Sequence, residues 1–150
     1  MSALKVKLYQ QCCAFVNDRL QSVKKNINEI EQSLLSETKS SAGDKHETGR
    51  AMLQLEREKA GRQLAEVQKL NEVLARIDAS KTSSIIALGS IVYTSKANYF
   101  IAVSAGQLNI GDTLFYAISS NTPIGKLLLS KKEGDKIEFI DESFIIKSIA

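Results

Sequence analysis

Two carboxylates three positions apart, Asp44 and Glu47, are the residues of this chain best suited to chemistry. They lie in the run Gly43-Asp44-Lys45-His46-Glu47, with Arg50 close behind. At that spacing on a helical turn, both side chains can reach one point. Hard anionic oxygens suit Mg²⁺, which keeps several waters and takes its remaining ligands from a partner or substrate. In a two-metal site, such a pair can hold the second ion and help activate the attacking water. The plainer reading is a capping box, with Asp44 as the N-cap and Glu47 closing it at the start of a helix. Both readings can hold at once. His46 reads as an exposed loop histidine, with a metal or proton-transfer role as the alternative. It is the only histidine and lies far in sequence from Cys12 and Cys13, which argues against a zinc site. Adjacent thiols within a helical pattern point to different sides and pair only with strain. They read as packing residues of a reducing, cytoplasmic compartment.

The elements that must position the acids can be read from hydrophobic spacing. Val16, Leu20, Val23, Ile27, Ile30 and Leu34 step by four and three, a heptad seam. Leu53, Ala60, Leu64, Val67, Leu70, Leu74 and Ile77 form a second run. Between them, residues 36–49 lack apolar periodicity and contain turn-forming residues. If the helices fold back on each other, Leu34 meets Leu53, Ile27 meets Ala60, Val23 meets Leu64, Leu20 meets Val67 and Cys13 meets Leu74. In each pair the positions add to 87. The midpoint places the tip of the antiparallel hairpin near residues 43–44, so the tip region, 43–47, contains the two acids. At 1.5 Å per residue, arms of about 30 residues make a rod roughly 45 Å long. So thin a rod buries one seam, and its role is reach.

Near residue 80 the composition changes. All five arginines precede it, whereas seven of the nine aromatics and the only proline, Pro123, follow it. The expected organisation is a coiled-coil hairpin over 1–79, a small polar linker over 80–86 and a second domain over 87–150. In that second part, residues 90–94, 99–103, 113–118, 136–140 and 143–147 are rich in β-branched and aromatic residues, bounded by turn signals. Pro123 to Leu129 suits one short helix with proline in its first turn. The class is therefore α+β, a helical hairpin followed by a small antiparallel sheet with one helix. The chain carries 20 basic and 17 acidic residues, a net charge of +3, too small to argue strong nucleic-acid binding. No apolar run approaches the roughly 18 residues of a membrane span. The first twenty residues lack both an apolar h-region and a small-residue cleavage site, so no secretory signal is expected.

The stretch Ile118-Ser119-Ser120-Asn121-Thr122-Pro123-Ile124-Gly125-Lys126-Leu127-Leu128-Leu129-Ser130-Lys131-Lys132-Glu133-Gly134-Asp135 resembles the signature of the Gre transcript-cleavage factors of bacterial RNA polymerase. That family shares the order of parts, a helical hairpin followed by a small domain of FKBP-like fold. Its tip carries two acids spaced as Asp44 and Glu47 are. Around them this chain has His46, Thr48, Arg50 and Ala51 where the family has serine, asparagine, an acid and tyrosine. The resemblance implies RNA polymerase as partner, with the hairpin in the secondary channel and the second domain docked outside. It implies that Asp44 and Glu47 share a Mg²⁺ with the polymerase site, which itself hydrolyses backtracked RNA. The factor would then be no enzyme, would have no cofactor of its own and would meet the nascent RNA 3′ end only indirectly. Lys45, His46 and Arg50 become candidate tip contacts. Pro123, Ile124, Lys126, Lys131 and Lys132 become candidate docking residues.

Three alternatives stand beside this reading. Given its altered tip, the protein could occupy the channel as an inhibitor or regulator without promoting cleavage. An FKBP-like domain could be a prolyl isomerase, which would need an apolar, aromatic-lined pocket. A purely structural coiled-coil interaction module would need the seam but not the acids. The basic residues Arg57 and Arg62 read as a solvated helix face or as contacts to an acidic channel wall.

Overall fold

The computed structural model describes residues 3–39 and 44–150, with side chains placed for 3–37 and 48–150. The chain divides into two compact units, residues 16–70 and residues 1–15 together with 71–150.

The first unit is the hairpin. It takes residues 16–70 from α1 (Ala3–Lys39) and α2 (Asp44–Ala75), long helices whose seam carries apolar residues; the helix ends before 16 and after 70 belong to the other unit. Ile27, Ile30 and Ala60 are buried there, with Val23, Leu34 and Leu64 packed against them. Ile27 with Ala60 and Val23 with Leu64 belong to the register deduced from the sequence. On its flank, Arg57 Nε donates to Glu31 Oε1 at 3.2 Å. Nearer the tip, a Cβ placed on Gly49 would sit 3.5 Å from Glu37 Oε1, an ordinary van der Waals contact. The Arg57–Glu31 pair is partly exposed and contributes at most about 1 kcal/mol. The buried seam holds the hairpin together. Val67→Asp, which puts a carboxylate where the side chain is 1% exposed, is expected to destabilise the hairpin by several kcal/mol. Circular dichroism should show a large loss of helicity; unchanged helicity would refute the paired seam.

The second unit is a six-stranded sheet with one short helix. Its strands are β1 (Ile91–Thr94), β2 (Asn98–Ala102), β3 (Gly106–Ile110), β4 (Thr113–Ser119), β5 (Lys136–Phe139) and β6 (Glu142–Ile149), with α3 (Pro123–Leu128) between β4 and β5. Their spatial order is β3-β4-β2-β1-β6-β5. The sheet is mixed, not wholly antiparallel as expected, because β2 and β4 pair in parallel, with Tyr99 opposite Tyr116. The cause is β3, which was not anticipated. It has few β-branched or aromatic residues and buries only Leu108. By running back along the sheet edge as the antiparallel neighbour of β4, it lets β4 return beside β2 in the same direction.

In the centre of the sheet, β2 buries Tyr99, Phe100, Ile101 and Ala102 in succession, so both of its faces are covered. One face carries Tyr99, Ile101, Val92, Phe144 and Ile146 in a core closed by Ile86 and Leu128. Phe100, Ile91, Phe115 and Ala117 are equally buried. The base of the helices covers this second side. There Leu8, Cys12 and Leu74 are buried, Gln11 Nε2 donates to Asn109 O at 3.2 Å, and Cys12 bonds to the Val103 backbone. The compact units thus divide the chain at 15/16 and 70/71, whereas composition shifts near 80. The change in residue type marks where helix gives way to strand, and packing draws the first turns of α1 into the globular unit. Residues 80–86 belong to that unit as well. Ile86 is 2% exposed, its N–H donates to Lys131 O at 2.8 Å, and Ile85 forms a bridge with Lys132.

Candidate functional site

Asp44 is the first residue of α2, and Glu47 lies within the same first turn. Carboxylates there are favoured by the positive end of the helix dipole, whatever else they do. The side chains of Asp44, Lys45, His46 and Glu47 lie outside the described residues. Just beyond, Thr48 and Arg50 are exposed. Sequence reasoning overlooked a group of apolar side chains on the same stretch of hairpin. Leu35, Met52 and Leu55 are 52%, 60% and 65% exposed. The one signal in the sequence was that all three fall off the heptad seam.

The docking candidates are held by a corner whose polar groups are mutually satisfied. Thr122 caps α3: its Oγ1 accepts from Gly125 N at 3.1 Å and donates to Ser119 O at 2.7 Å. Pro123 follows in the first helical turn, where its missing N–H is no loss. Gly125 is required because a Cβ there would lie 2.2 Å from Ser119 O. After α3, Gly134 adopts φ +90° in a turn closed by Asp135, whose Oδ2 accepts from Lys132 N at 2.9 Å. Thr122, Gly125, Gly134 and Asp135 therefore build the segment. Of the docking candidates, Pro123, Lys126, Lys131 and Lys132 are exposed. Ile124 packs against the core and has only part of its surface to offer a partner. Leu127, 37% exposed beside Lys126, joins the outward group and was not anticipated. The burial of Leu128 is what turns its neighbour outward.

Other chemistry-bearing groups are structural. Burial pushes the Cys12 thiol up to about 12, so it stays protonated and inert. Tyr99 also titrates above its usual range because it is buried. Lys96 pairs with Glu142 at the surface, and that hydrogen bond raises its pKa. Among the described residues, no group of three or more His, Cys, Asp or Glu side chains is placed to hold a metal ion. None of their helices is long and apolar enough to cross a membrane.

Among solved structures, the chain is similar to one described as the transcription factor Gfh1, at 20% identity and TM-score 0.35. That match covers 94% of this chain and 92% of the other. It is also similar to GreA factor homolog 1 (Gfh1) of Thermus thermophilus, at 22% identity and TM-score 0.34, over 97% and 94% of the two chains. No protein-family model matches, and no curated protein matches.

Proposed function

We propose that this protein is a Gre-like elongation factor of bacterial RNA polymerase, working in the cytoplasm. The hairpin enters the secondary channel and lends Asp44 and Glu47 to the polymerase's own hydrolysis of backtracked RNA. The observation that supports this most is the joining, in one chain, of two features. One is a sealed antiparallel hairpin whose second helix opens at the acid pair. The other is residues 118–135, folded as a capped helix and turn that expose Pro123 and three lysines.

Two carboxylates fill only part of the octahedral shell that Mg²⁺ demands. They fit an ion completed by polymerase ligands and water, and they do not suit a resident cofactor. Asp44 and Glu47 would hold such an ion, which would supply an activated water; the chain's own part is to carry anionic oxygen to it. The factor by itself has no hydrolytic activity. Lys45, His46 and Arg50 supply contacts to RNA phosphate or channel wall near the 3′ end. The test is capture of RNA polymerase by the full chain, followed by transcript cleavage in stalled complexes.

A second reading draws on the tip sequence itself. Arg50 stands where the resemblance expects an acid and Ala51 where it expects tyrosine. If the wild type binds polymerase and slows elongation while never stimulating cleavage, it is a channel-occupying inhibitor. Docking is tested separately. Lys126→Glu, Lys131→Glu and Lys132→Glu together reverse three exposed charges and should leave the fold intact. Polymerase affinity is expected to fall on the order of tenfold, chiefly through slower association. Undiminished affinity would remove these lysines from the interface.

A further inference from the structure

The globular unit holds a second polar feature, remote in sequence from both the acid pair and residues 118–135. Below the loop after α2 lies a cavity of about 260 Å³, lined among others by Lys5, Arg76, Asp78, Lys81, Thr82 and Ser83. Three of these side chains are cationic and one is a carboxylate. Lys5 is 2% exposed, unusual for a lysine. Its Nζ donates to Lys81 O at 2.8 Å, which fixes the ammonium beneath the loop. Burial also lowers the Lys5 pKa, so a negative charge beside it would be favourable. Asp78 is engaged within its own turn, where its Oδ1 accepts both the N–H and the hydroxyl of Ser80, and these bonds hold its pKa low. Ser83 Oγ accepts from Ile85 N at 3.2 Å and has a proton of its own to donate.

We propose that this cavity binds a phosphoryl oxyanion. The guanidinium of Arg76 supplies the fork that matches two phosphate oxygens. The Lys5 and Lys81 ammonium groups supply point charges, and the Thr82 and Ser83 hydroxyls supply further donors. The volume falls below the roughly 300–1,000 Å³ of pockets that enclose a drug-sized molecule. It suits a phosphate or diphosphate, so a nucleotide would enter by its phosphate end with the base outside. The proposal does not depend on the polymerase reading.

The experiment is calorimetric titration of the full chain, without polymerase, with phosphate, pyrophosphate and a nucleoside diphosphate. Ionic strength is held constant with chloride. Saturable binding in the millimolar range or tighter is expected, weakened at least tenfold by Arg76→Gln with Lys81→Gln. Both of these residues are exposed, so the substitutions should leave the fold intact. Lys5→Met, checked for folding by circular dichroism, should weaken binding as strongly. Equal affinity for pyrophosphate and the diphosphate identifies free phosphoryl anions as the ligand; tighter nucleotide binding identifies the nucleotide. Absence of saturable binding, or binding unchanged in the double variant, overturns the proposal. So would a double variant that loses polymerase affinity when no phosphoryl compound binds, since the cavity would then receive a carboxylate of the partner.

Discussion

Asp44→Asn with Glu47→Gln is expected to abolish stimulated cleavage of backtracked RNA while leaving polymerase binding nearly unchanged. The amides keep the size of the acids but lack the charge a hard cation favours. Two further effects of the same change are small. Loss of a helix cap costs about 0.5–2 kcal/mol. Loss of the favourable dipole interaction at the start of α2 costs about 0.3–1 kcal/mol for each acid. Neither competes with the buried seam that holds Ile27, Ile30 and Ala60. Cleavage in stalled complexes, run beside a binding assay, separates the outcomes. Retained stimulation in the double variant would show that the pair is a cap only. Loss of binding together with cleavage would make the tip an anchoring element.

Gly125→Ala should have the largest effect of any single methyl group in the globular unit. The added carbon would lie 2.2 Å from Ser119 O, 2.9 Å from Thr122 Oγ1 and 3.0 Å from Ser120 Cα. Two of those atoms are backbone, so no rotation of a flexible side chain relieves the clash. Ser119 O cannot retreat easily either, because it accepts from both the Thr122 N–H and the Thr122 hydroxyl. Relief requires α3 to lift away from β4, which disturbs the burial of Leu128. A cost of about 3 kcal/mol is expected, which for a unit of this size lowers Tm by more than about 10 °C. Thermal unfolding followed by near-ultraviolet circular dichroism of the tyrosines would report it. A shift below about 3 °C would mean that the corner is more compliant than its geometry implies.

The hairpin was legible because a repeat of three and four is a strong periodic signal, and a single register satisfied several pairs at once. The midpoint of that register falls just before Asp44, and α2 does begin there. Strand β3 was not. Gly106-Gln107-Leu108-Asn109-Ile110 has little β propensity, and it forms because an open edge of β4 lies beside it. The parallel pairing of β2 and β4 followed from that omission. Lys5 was invisible for a different reason. A lysine early in an amphipathic helix is ordinarily solvated, and nothing local reveals that the residue 81 loop will close over it. At residues 118–135 the motif was found, but sequence could not separate residues that build the corner from those it exposes. Only the 2.2 Å approach at Gly125 and the turn at Gly134 make that separation.

The division at 15/16 and 70/71 also bears on how the protein is made. Leu8 and Cys12 leave the ribosome early, yet Val103, to whose backbone Cys12 bonds, is about ninety residues further on. At about 5–20 residues per second, the wait is roughly 5–20 s. Residues 16–70 are complete well within that interval and can zip along their own seam. Once zipped, they behave as a clasp, holding Phe15 and Asn71 near one another before the first strand exists. Joining distant segments normally carries a loop-closure penalty that grows with the length of free chain between them. Here the early hairpin removes most of that free chain, so the sheet assembles onto a partner segment that is already waiting beside it.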